Sequence, residues 1–140
     1  MTTENKVIQV LVVDDHPVVR EGLRAMLRSE PGIEVVGEAS SGEEAVELCR
    51  QLKPDVVLVD IRMPGMSGIE VTQRIKSVQP SSAVIVLTMY DSEMYVVEAI
   101  RAGAAGYLVK DSSRELLSHA INSVVDGGNI VRSGLLIQAI

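Results

Sequence analysis

Short runs of Val, Ile and Leu alternate along the chain with stretches in which apolar residues recur every three or four positions. The runs predict strands at Lys6 to Val13, Glu34 to Glu38, Val56 to Asp60, Ala83 to Thr88 and Gly106 to Val109. Four of them are almost continuously apolar, the pattern of strands covered on both faces in a parallel sheet. The second, EVVGE, is weaker and is expected at an edge. Between the strands, Ala45, Leu48, Cys49 and Leu52 repeat at helical spacing, as do Leu117, Ala120, Ile121 and Val124. Helices are predicted near Pro17 to Ser29, Ser41 to Leu52, Ser67 to Ser77, Asp91 to Ala102 and Ser112 to Asp126. Pro17 suits a first helical position. Ser41-x-x-Glu44, Ser67-x-x-Glu70 and Ser112-x-x-Glu115 have capping-box spacing, and Gly127-Gly128 should stop the last helix. Strand and helix units in unbroken succession imply a doubly wound α/β fold around a five-stranded parallel sheet.

That fold gives an address to an otherwise odd residue. Asp60 closes an apolar run and is followed at once by a Met-Pro-Gly turn, although charge is costly to desolvate. In open α/β sheets the functional crevice lies beyond the carboxyl ends of the strands. Asp14 and Asp15 follow the first strand, Asp60 ends the third, Thr88 ends the fourth and Lys110 follows the fifth. Parallel strands would bring all five to one edge. Two carboxylates ~6 Å apart repel by ~3 kcal/mol at an effective dielectric near ~20, so three together call for a cation.

The donors select that cation. Carboxylate and carbonyl oxygens without a His or Cys cluster favour a hard ion, and an open, hydrated site suits Mg²⁺. Mg²⁺ beside a carboxylate is a phosphoryl-transfer arrangement, and carboxylates can themselves form an aspartyl phosphate. Asp60 is therefore the candidate acceptor. Taken alone, Asp14 and Asp15 could equally be helix-capping residues; the presence of Asp60 favours the metal site.

Composition narrows the setting. A chain of 140 residues with 46% hydrophobic content fits one globular domain, and the lack of Phe and Trp leaves the core to aliphatic side chains. A formal net charge of -6 disfavours nonspecific attachment to nucleic acid or anionic membrane. A single cysteine, Cys49, excludes an internal disulfide and fits a reducing compartment. VIQVLVV is too short and too interrupted for a signal peptide or membrane span, so a cytoplasmic location is expected.

LVVDDHP, LVDIRMPGMSG, VIVLT and GYLVK together resemble the receiver domain of two-component response regulators, over about Lys6 to Asp126. DDHPVVREGLRAML and AIRAGAAGYLVKD are similar to the NarL/FixJ branch, whose members usually carry a LuxR-type helix-turn-helix output domain. The resemblance implies a flavodoxin-like (βα)5 fold with strand order 2-1-3-4-5. It implies phosphoryl transfer from the phosphohistidine of a sensor histidine kinase onto Asp60, with the domain catalysing its own phosphorylation and dephosphorylation. Asp15 becomes a direct Mg²⁺ ligand and Asp14 a ligand through water, with Asp60 and the Arg62 backbone carbonyl completing the set. Thr88 and Lys110 become the hydroxyl and ammonium that contact the phosphoryl oxygens. Tyr107, by itself an ordinary half-buried aromatic, becomes the switch residue coupled to Thr88, and Arg62 and Tyr90 the pair that tunes phosphoryl lifetime. On the same basis, residues 1–127 are expected to form the receiver and 128–140 a linker towards an absent output domain. DNA contact is then expected only through that domain. The apolar tail Leu135, Leu136, Ile137 and Ile140 could pair with a second copy in a homodimer.

Two other classes share parts of this chemistry. A haloacid-dehalogenase phosphatase also forms an aspartyl phosphate, but its nucleophile opens a DxD motif, and Asp15 has no second Asp two residues on. A flavin or nucleotide binder shares the fold class, yet GxGxxG and P-loop patterns are absent. His16, with no other His or Cys near it in sequence, is not expected to bind metal. Cys49 lies on a core stripe and should be inert. The methionines read as gap fillers, except Met89, which could narrow access to the site.

Overall fold

A computed structural model describes residues 7–88, 93–109 and 113–125. Strands and helices alternate strictly: β1 (Ile8–Val13), α1 (Pro17–Arg28), β2 (Ile33–Ala39), α2 (Gly42–Leu52), β3 (Val56–Asp60), α3 (Gly68–Val78), β4 (Ala83–Thr88), α4 (Glu93–Arg101), β5 (Gly106–Val109) and α5 (Arg114–Val125). The five strands form one parallel sheet in the order β2-β1-β3-β4-β5. The chain starts at β1, winds outward to β2, then returns to β3 and continues to β5. The switch in winding direction therefore falls between β1 and β3.

Alternation along each strand divides the core in two. Leu11, Val13, Val57 and Val59 pack with Ala45 and Cys49 of α2, Val71 and Ile75 of α3, and Val96 and Ala99 of α4. Val10, Val12, Val56 and Leu58 pack with Leu23 and Leu27 of α1 and with Leu117, Ala120, Ile121 and Val124 of α5. Both helical repeats recognised in the sequence are thus core stripes, except that Leu52 stays exposed. β2 is an edge, as expected. β5 is the other edge, although its sequence resembles a central strand; its first three residues are buried because α4 and α5 contact it.

The helix starts follow local chemistry. Ser41 Oγ accepts from Glu44 N at 3.2 Å and Ser67 Oγ from Glu70 N at 3.3 Å. The return half of the box differs: Glu44 accepts from Ser40 N, and Glu70 turns to Arg74. At α5, Ser113 Oγ accepts from Leu116 N at 3.1 Å. Lys6, Asp91, Ser112 and Asp126, expected at element ends, and Gly127-Gly128 lie outside the described residues.

Cys49 is fully enclosed by the α2 side of the core, and burial pushes its thiol from 9.0 up to about 12. A raised folded-state value means that the buried thiol contributes stability below about pH 9 and loses it as pH climbs towards 12. Between pH 8.5 and 10 the wild type should lose about 1 kcal/mol more stability than Cys49→Ala, read from denaturation midpoints across pH. Parallel curves for the two proteins would show that the thiolate is not excluded.

Candidate functional site

The switch between β1 and β3 places two strand ends side by side. Val13 is in register with Val59, so Asp14 and Asp60 leave the sheet next to each other, and both are buried. Asp14 N donates to Ala39 O at 3.0 Å, which continues the sheet pattern into the first residue of the loop. One ligand atom each from Asp14, Asp15, His16 and Asp60 falls within 4.8 Å of the others. This acidic cluster could hold a metal ion. The side chain of His16, the N-cap residue of α1, makes no capping hydrogen bond.

Local contacts show what the cluster lacks. Asp14 Oδ1 accepts from His16 N at 2.9 Å and lies 2.9 Å from His16 Nδ1. Among the described residues Asp15 Oδ1 is buried without a hydrogen-bond partner; His16 Nδ1 stands 3.1 Å away, at ion-pair distance but without hydrogen-bond alignment. A buried carboxylate oxygen in that state is costly unless a cation meets it. All three carboxylates offer hard oxygen donors, which is the chemistry Mg²⁺ takes. The residues present therefore fit the ion. His16, not expected from its sequence surroundings, is brought into the cluster. No second His or Cys joins it there; its neighbours are the carboxylates two and one residues before it.

The acceptor candidate is held from both sides of its strand end. Ile61 N donates to Leu87 O at 3.0 Å, and Arg62 N donates to Asp60 Oδ1 at 3.3 Å. The chain then folds back, and Gly68 N donates to Ile61 O at 2.9 Å. Gly68 is absent from the residues expected at the site, although a glycine opening a helix is a visible signal of close approach. A Cβ there would lie 2.7 Å from Ile61 Cα and 2.9 Å from Asp60 C, and closer still to the Asp60 carbonyl oxygen. The Arg62 guanidinium points away to α4, where it donates to Tyr95 Oη at 3.0 Å and sits 6.0 Å from the ring centroid. A cleft of about 740 Å³ beside this pair is lined by Arg62, Met63, Ile69 and Tyr95 among others, but by none of the clustered carboxylates.

Thr88 ends β4 fully buried, in register with Val109. Val86, two residues earlier on the same face, pairs with Tyr107. Thr88 and Tyr107 thus share one side of the sheet. Tyr107, read from sequence as half-buried, is fully enclosed in the α4 side of the core. The layer containing Val96 and Ala99 of α4 covers it there, which a four-residue run could not reveal. Lys110, Tyr90 and Met89 lie outside the described residues. Among the described residues no helix is long and apolar enough to cross a membrane.

Residues 10–122 match the family model of the response regulator receiver domain. The chain is 44% identical over 126 residues to the uncharacterized transcriptional regulatory protein YxjL of Bacillus subtilis, covering 90% of this chain and 58% of that protein. It is 44% identical over 120 residues to the response regulator GacA of Pseudomonas aeruginosa, covering 86% of this chain and 56% of that protein. The chain thus spans little more than half the length of these relatives. A LuxR-family two-component response regulator from Aurantimonas sp. superposes with a TM-score of 0.84 at 36% identity, covering 89% of each chain. Fold, strand order and carboxylate edge thus define a phospho-accepting signalling domain of the α/β class. The chain belongs to the response regulator receiver domain family.

Proposed function

We propose that Asp60 is the phosphoryl acceptor and that its donor is the phosphohistidine of a sensor histidine kinase. A carboxylate oxygen of Asp60 attacks phosphorus, the P–N bond breaks, and the imidazole nitrogen leaves with the electron pair. An acyl phosphate results. Water later attacks the same phosphorus, which releases inorganic phosphate and restores the carboxylate, so the domain catalyses both its own loading and its own clearance. The observation that carries this proposal is the convergence of Asp14, Asp15 and Asp60 within 4.8 Å at the sheet's switch point.

Mg²⁺ would be held by Asp15 directly and Asp14 through water, with Asp60 and the Arg62 carbonyl as the other protein ligands. When bound, it offsets negative charge on the phosphoryl oxygens. Thr88 donates its hydroxyl to one of those oxygens and Lys110 places its ammonium against another. Tyr107 responds to movement of Thr88, and the face formed by α4, β5 and α5 reports the change as a shift between two existing conformations. Arg62 and Tyr90 tune the lifetime of the acyl phosphate. Residues 1–127 form the receiver and 128–140 a linker that leads to a DNA-binding output domain in a longer, cytoplasmic regulator and can pair with a second copy. The acidic charge of -6 supports leaving DNA contact to that output domain.

Acetyl phosphate with Mg²⁺ should label the chain once, at Asp60; peptide mapping that places the label elsewhere would overturn the assignment. Asp15→Ala should abolish Mg²⁺-dependent labelling without lowering the melting temperature, because it removes a ligand and also relieves repulsion among crowded carboxylates. Normal labelling together with a large fall in melting temperature would make Asp15 a structural residue instead.

A further inference from the structure

The ladder between β1 and β2 contains one irregularity, between Val10 and Leu11, three residues before the acidic loop. Val10 pairs with Val35, but Leu11 pairs with Gly37, so Val36 is passed over. An added residue exchanges the faces of everything that follows it. Ile33 and Val35 accordingly pack on the α1 side of the sheet, whereas Ala39 packs on the α2 side. Glu38, in register with Val12, is turned towards α1 by this bulge. An unbroken ladder would turn it towards α2.

On the α1 side two arginines take hold of the carboxylate. Arg24 Nη1 donates to Glu38 Oε2 at 2.8 Å and Arg20 Nε to Glu38 Oε1 at 3.2 Å. Arg20 also reaches the acidic loop, where its Nη1 donates to the Asp14 carbonyl at 2.6 Å. Its side chain is only 17% exposed, so the geometry is well confined. The Asp14 carbonyl and the Asp15 N–H belong to one planar peptide, and fixing one end fixes the direction in which Asp15 departs. The Asp14 N–H is held independently by Ala39 O.

We propose that Arg20, anchored by Glu38, is a positioning residue that orients the Asp14 and Asp15 carboxylates and thereby sets the affinity of the cluster for a divalent cation. This rests on the assignment of the cluster as a Mg²⁺ site. The sign of the effect separates positioning from simple charge. A guanidinium near a cation site repels the cation, so its removal would tighten binding if charge alone mattered. Loss of orientation weakens binding, and removal of groups that orient metal ligands typically costs about tenfold or more in affinity.

The proposal is tested by a Mg²⁺ titration of the whole chain, followed by amide NMR shifts, for wild type, Arg20→Gln and the charge-balanced Arg20→Gln/Glu38→Gln pair. About tenfold weaker binding is expected in the single variant, with no further loss in the double, because Glu38 acts through Arg20. Tighter or unchanged binding in Arg20→Gln, or wild-type affinity in the double variant, would overturn the proposal. Hydrogen exchange without metal supplies a second readout. The His16 amide, donated to Asp14 Oδ1, should exchange faster in Arg20→Gln while the amides of Val10 to Val13 keep their protection. Uniform loss across β1 would instead make Arg20 a general stabiliser and overturn the proposal. If wild type binds no Mg²⁺, the metal assignment fails, and the orienting role stands or falls on the exchange pattern.

Discussion

Asp60→Asn should carry no phosphoryl group after incubation with acetyl phosphate and Mg²⁺, while its circular dichroism spectrum matches that of the wild type. The amide keeps the shape of the carboxylate but lacks the anionic oxygen that attacks phosphorus. The Arg62 N–H that donates to Asp60 Oδ1 can donate equally well to an amide oxygen, so the turn after β3 loses little. Removing one charge from a crowded acidic cluster also lessens repulsion, and the melting temperature should not fall. Labelling at wild-type extent would show that another residue is the acceptor, and Asp14 and Asp15 would be the next to substitute.

Gly68→Ala should be the most damaging small substitution near the site. The added methyl meets backbone atoms of Asp60 and Ile61 rather than a flexible side chain, so the start of α3 or the end of β3 has to move. Overpacking of this kind costs about 3 kcal/mol, which in a domain of this size lowers the melting temperature by about 10 °C. The displaced group is the peptide of the acceptor itself. Labelling at Asp60 should therefore slow even where the protein remains folded. A variant with unchanged melting temperature and labelling rate would show that the helix start does not press on the strand end.

Much of this site could be read in the chain because strand ends are chemically conspicuous. A carboxylate after VLV, a threonine after VIVL and a pair of aspartates after VLVV each break an apolar run at the point where a strand must leave the core. The run lengths marked the strands nearly residue for residue, and Pro17, Ser41 and Ser67 marked three helix starts. The misses share one physical character. Bringing His16 to Asp60, enclosing Tyr107 and closing α3 onto Asp60 all depend on atoms brought near from elsewhere in the fold.

The sequence by itself determined the alternation of strands and helices, the two-faced burial of the central strands and the set of polar residues stranded at their carboxyl ends. These follow from periodicity and local hydrogen bonding, which act within a few residues along the chain. Only the tertiary structure decided that β2 carries a bulge at Val36, and that Glu38 reaches Arg20 and through it the Asp14 carbonyl. Register is a relation between two strands, and a shift of one residue exchanges the faces of a side chain without altering the pattern of either strand alone.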